Sequence, residues 1–123
     1  MKARSFRKDK INVITLGCSK NLVDSENLIT QLRGNDFEVT HENPELDANV
    51  VIINTCGFID VAKQESIDTI VEYAGIKQAG GIDKLYVTGC LSQRYKDDLE
   101  QAIPEVDAFF GTLEMPALLS RLE

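Results

Sequence analysis

Apolar residues in this chain recur with two different periods. Val50 to Ile53 is an unbroken run of β-branched residues, the pattern of a strand covered on both faces at the centre of a parallel sheet. Ile11 to Gly17 and Lys84 to Gly89 are interrupted apolar stretches that read as strands, as are Phe37 to Thr40 and Val106 to Phe110. Between them the spacing lengthens to three and four. Leu22, Ser25, Ile29 and Leu32 mark one stripe of a helix over 21–33, closed by Gly34 and Asn35. Ala62, Ile67, Ile70, Val71 and Ala74 mark a longer helix over 60–78, ended by Gly80 and Gly81. Ser92 is placed to cap a third helix running to Ala102, with Leu99 and Ile103 inward and Pro104 as the break. Gly111 and Thr112 open a last helix bearing Leu118, Leu119 and Leu122.

The order β-α-β-β-α-β-α-β-α predicts an α/β fold: a three-layer, doubly wound parallel sheet of about five strands, with helices on both faces. The expected strand order is the flavodoxin-like 2-1-3-4-5. The polar loop 41–47 contains Pro44 and gives no helix signal between the second and third strands. In such folds ligands gather beyond the carboxyl ends of the strands, beside the switch between strands one and three.

Length and composition agree with this. A chain of 123 residues, 43% hydrophobic and 27% charged, suits one globular domain with a single core. No apolar run reaches the length of a membrane span, and the basic start lacks the apolar core of a signal peptide. A cytoplasmic location is expected. Residues 1–10 read as a basic, flexible leader of net charge +4, with the domain occupying 11–123. The overall charge of −7 therefore leaves −11 on the remainder, where eight Lys and Arg face nineteen Asp and Glu. Such a surface repels phosphate backbones, so direct nucleic-acid binding is not expected, and a basic protein is the more compatible partner.

The chemistry is in the cysteines. There are three, Cys18, Cys56 and Cys90, and each follows a strand and precedes a helical pattern. Each has a glycine beside it: Gly17, Gly57 and Gly89. Neighbouring strands lie about 4.8 Å apart, so three consecutive strand ends span roughly 10 Å. Separations of 38 and 34 residues do not make the paired knuckles of structural zinc, and the single histidine, His41, reads as a surface residue. A phosphate loop of the Cys-x5-Arg kind fails, because Asp24 and Lys96 stand where arginine is needed. The carboxylates of a phosphorelay receiver are missing, and the loop from Gly17 to Asn21 lacks the hydroxyl-rich cradle of a flavin carrier. An iron–sulfur cluster on three thiolates fits, with one iron of four left open. The glycines then admit tight turns around it. Inert buried cysteines in a cofactor-free interaction module are the competing reading.

Three motifs together resemble the N-terminal domain of the radical-SAM methylthiotransferases. They are Gly17-Cys18-Ser19-Lys20-Asn21 continuing to Glu26, Asn54-Thr55-Cys56-Gly57-Phe58-Ile59, and Val87-Thr88-Gly89-Cys90-Leu91-Ser92-Gln93-Arg94. The resemblance runs from about Ile11 to the end of the chain. It implies a [4Fe-4S] cluster on Cys18, Cys56 and Cys90, with Gly17, Gly57 and Gly89 around it. The Cys-Ser-Lys-Asn and Cys-Gly-Phe-Ile variants resemble the branch that methylthiolates an aspartate of a small-subunit ribosomal protein, with a tRNA-adenosine enzyme as the alternative. In that family a following barrel carries a second [4Fe-4S] cluster on Cys-x3-Cys-x2-Cys and binds S-adenosylmethionine, and a C-terminal β domain comes after it. Three cysteines leave none for that motif, so the chain reads as a fragment that is inactive alone and needs the barrel as its partner.

Overall fold

The computed structural model describes residues 10–16, 19–34, 37–42, 48–55, 60–111, 117–118 and 120, and of these only the backbone at 19–21, 24, 60–63 and 90–94. Eight elements follow one another: β1 (Lys10–Thr15), α1 (Ser19–Gly34), β2 (Glu38–His41), β3 (Val50–Thr55), α2 (Asp60–Gln78), β4 (Lys84–Gly89), α3 (Cys90–Ala102) and β5 (Ala108–Phe109). The strands form one sheet in the order β2-β1-β3-β4-β5, with every neighbouring pair parallel. This is the doubly wound arrangement that the alternation of elements predicts.

Side chains alternate across the pleat, so each strand feeds two cores. On one face Ile14, Val51, Ile53, Leu85, Val87 and Phe109 meet Ile70 and Ala74 of α2, Leu99 of α3 and the following Ile103. On the other, Ile11, Val13, Val39, Val50, Ile52 and Tyr86 meet Leu28, Ile29 and Leu32 of α1, together with Leu118. Helices thus cover both faces. All six residues of β3 are buried, which is why its apolar run has no alternation. Ala117, Leu118 and Ser120 have helical backbone where the last helix is expected, but its start at 112 and the residues Leu119 and Leu122 lie outside the described residues.

The structure differs from the periodicity at identifiable places. Leu22 is 42% exposed, and α1 buries Ser25, Leu28, Ile29 and Leu32 instead. A helix of 16 residues is about 24 Å long against about 20 Å for a six-residue strand, so α1 outruns the strand, and Leu22 lies near its start. Val71 is 53% exposed, because α2 turns the line Ser66, Ile70, Ala74 inward. Ser92 does not begin α3: the helix starts at Cys90, with Gly89 in the capping position and no side-chain cap. β1 starts at Lys10, one residue earlier than expected, and ends at Thr15. Only Ala108 and Phe109 of the fifth strand pair as a ladder, although Asp107 N–H donates to the Leu85 carbonyl at 2.8 Å and Phe110 N–H to that of Val87 at 2.7 Å.

The connection from β2 to β3 crosses β1 without an α-helix among its described residues. Its two ends are tied to β1: Glu42 N–H donates to the Val13 carbonyl (2.8 Å), and Asn49 N–H to that of Lys10 (3.1 Å). Asn49 Oδ1 accepts in return from the Lys10 N–H at 2.8 Å.

Candidate metal centre at the carboxyl rim of the sheet

In an all-parallel sheet every strand delivers its carboxyl end to the same edge. Here the register brings three of those ends side by side. Thr15 of β1 pairs with Asn54 of β3, while Asn54 and Thr55 pair with Thr88 and Gly89 of β4. Leu16 N–H extends the first ladder by donating to the Asn54 carbonyl at 2.9 Å. In the sequence Cys56 comes directly after Thr55, Cys90 directly after Gly89, and Cys18 two residues after Leu16. Cys18 and Cys56 lie outside the described residues, as do Gly17 and Gly57. Cys90 is described by its backbone, as the first residue of α3.

Gly89 is at the tightest point of the rim. Its backbone sits at φ 102°, ψ −168°, a region that side chains other than hydrogen essentially exclude. A Cβ there would press on the Thr55 carbonyl oxygen and lie 2.6 Å from Asn54 Oδ1 and 2.7 Å from Thr55 N. The absence of a side chain lets β4 turn into α3 within one residue, hard against the end of β3.

Behind the rim lies a line of polar groups, of which Ser25, Asn54 and Thr55 are buried. Ser25, on the inward stripe of α1, is fully buried. Its Oγ accepts from Thr15 Oγ1 at 2.6 Å and from Asn54 Nδ2 at 3.0 Å. Thr15 Oγ1 is also 2.7 Å from His41 Nε2 at the end of β2. Thr55, buried like Asn54, donates from Oγ1 to the Thr88 carbonyl at 2.7 Å. Thr88 Oγ1 in turn donates to the Gly111 carbonyl at 3.4 Å, reaching the end of β5. Hydrogen bonds therefore cross the full width of the rim, from β2 to the residues after β5.

Sequence reasoning finds the rim and misses this network. His41 is exposed, as its sequence context predicts, and what the sequence does not show is that its ring is bonded to Thr15. The signal was a serine on an apolar helical stripe and a polar pair ending an apolar strand. Buried polar groups require partners, and these supply one another.

Fold and rim together define a doubly wound α/β domain in which β1, β3 and β4 end side by side at one edge. A family model described as Uncharacterized protein family UPF0004 matches residues 10–111, and the chain belongs to that family. Its relatives include the ribosomal protein uS12 methylthiotransferase RimO of Cytophaga hutchinsonii, 65% identical over 98% of this chain. Proteins of the same name from Christiangramia forsetii and Flavobacterium johnsoniae are 58% and 59% identical over 100% and 99% of the chain. These agree with the methylthiotransferase resemblance of the three cysteine motifs. The chain spans about 28% of the length of the first relative and 27% of the second. Among the described residues no helix is long and apolar enough to cross a membrane.

Proposed function

We propose that this chain is the part of a uS12-type methylthiotransferase that holds an auxiliary [4Fe-4S] cluster on Cys18, Cys56 and Cys90. The observation that carries the reading is the register of β1, β3 and β4, whose last residues pair side by side and are followed in the sequence by those three cysteines. Three thiolates and no fourth cysteine suit a cluster with one iron open. When bound, the cluster would supply an exchangeable iron at which sulfur is held for transfer.

The protein's own task is positional. Gly89 keeps the third turn flush against β3, and the hydrogen bonds behind the rim hold β1, β3 and β4 at fixed spacing. In the longer protein the substrate is an aspartate of the small-subunit ribosomal protein, a basic partner for a body of net charge −11. The radical is made by a barrel domain that binds S-adenosylmethionine and a second cluster, in the reducing cytoplasm. Residues 11–123 form the cluster-bearing unit, and 1–10 a basic leader. By themselves, with three cysteines, these residues do not cleave S-adenosylmethionine.

Anaerobic reconstitution with ferrous iron and sulfide is the test. The wild-type chain should turn brown and take up about four irons and four sulfides. Cys18→Ala, Cys56→Ala and Cys90→Ala should each lose or degrade that uptake. A chain that stays colourless would instead be a cofactor-free interaction module, and a yellow one a flavin carrier.

A further inference from the structure

We propose that Ser25, with Thr15 and Asn54, is a positioning device that sets the distance between the ends of β1 and β3, which lead in the sequence into Cys18 and Cys56, before any metal arrives. The inference rests on the cluster reading above. Ser25 belongs to neither strand, yet its Oγ touches both: Thr15 is the last residue of β1, and Asn54 is its register partner near the end of β3. From those two residues the chain runs three positions to Cys18 and two to Cys56.

Stability alone does not call for this arrangement. β3 is otherwise Val50, Val51, Ile52 and Ile53, and an apolar residue at 54 would continue the buried strand at no desolvation cost. The polar residues fall only at the rim end of the strand, where α1 brings a fully buried hydroxyl to meet them. His41 adds a fourth member from β2, so three strands and one helix converge on a single line of hydrogen bonds. Outer groups of this kind orient metal ligands, and losing one commonly costs 10- to 100-fold in metal affinity.

The test uses Ser25→Ala, Thr15→Val, the hydroxyl-retaining Thr15→Ser, and Ile70→Val as a stability control remote from the rim. Each chain is reconstituted with ferrous iron and sulfide, checked for native far-UV circular dichroism, and challenged with a chelator while cluster absorbance is followed. Ser25→Ala and Thr15→Val should release iron about tenfold faster than wild type, with Thr15→Ser and Ile70→Val near the wild-type rate. The electron paramagnetic resonance signal of the reduced cluster should shift in the first two alone. If all variants release iron at the wild-type rate, or Ile70→Val is as labile as Ser25→Ala, the positioning role is overturned while the cluster reading stands. If wild type takes up no iron, both fall.

Discussion

Replacing Gly89 with alanine tests the geometry of the rim directly. The backbone at φ 102°, ψ −168° costs an L-residue about 1–3 kcal/mol before any contact is counted. The new methyl also meets the carbonyl oxygen and amide nitrogen of Thr55, and these backbone atoms are locked in the pairing of β3 with β4. They cannot swing aside as the tip of a side chain would. Overpacking of that kind adds about 1–3 kcal/mol. The combined loss of about 2–6 kcal/mol is large against the roughly 5–15 kcal/mol that holds a domain folded. For a domain of this size it lowers Tm by about 8–23 °C. Thermal unfolding of the metal-free chain, followed by circular dichroism, measures it. Gly75→Ala is the control, because Gly75 lies inside α2 with open space where its Cβ would be. That variant should gain about 0.5–1 kcal/mol. If Gly89→Ala melts within about 2 °C of wild type, the close approach of the third turn to β3 is wrong.

Two further expectations follow from the packing and from one phenol. Ile70 and Val71 are adjacent on α2, but one is fully buried and the other 53% exposed. In urea unfolding, Ile70→Ala should lose about 2–5 kcal/mol, whereas Val71→Ala should stay within about 0.5 kcal/mol. Equal losses would contradict the rotation of α2 described above. Burial first, then the carboxylates of Glu72 and Glu42, hold the Tyr73 phenol above its ordinary value of 10.0. Ionisation is thus harder in the folded state than in the unfolded one, so the contribution of Tyr73 is intact below pH 10 and is lost as pH rises through the folded value. Stability measured from pH 9 to 11 should fall more steeply for wild type than for Tyr73→Phe, and parallel curves would refute the assignment.

The fold was legible because its strongest signals are local. Val50 to Ile53 marks the middle of the sheet, and Gly80, at φ 89°, ends the α2 turn where the Gly-Gly pair predicts. Spacing alone does not say where a helix outruns the sheet beneath it, and this is why Leu22 was expected inside. Nor does it separate two overlapping stripes, as with Val71 beside Ile70. The edge of the sheet was legible too, since β1, β3 and β4 end side by side just before the three cysteines in the sequence. Its supporting network was not. Ser25 is 10 residues from Thr15 and 29 from Asn54, and His41 is 26 from Thr15, so no window of sequence contains the group. Only the strand order brings them together.

The three strands that lead into cysteines, β1, β3 and β4, are the interior ones, and β2 and β5 flank them. Breathing, insertions or substitutions at the margins of the ribbon must therefore pass through a paired neighbour before they reach the ends of these strands. The borders can drift in evolution or be re-engineered as handles for other domains, while the three central strand ends stay insulated in the middle.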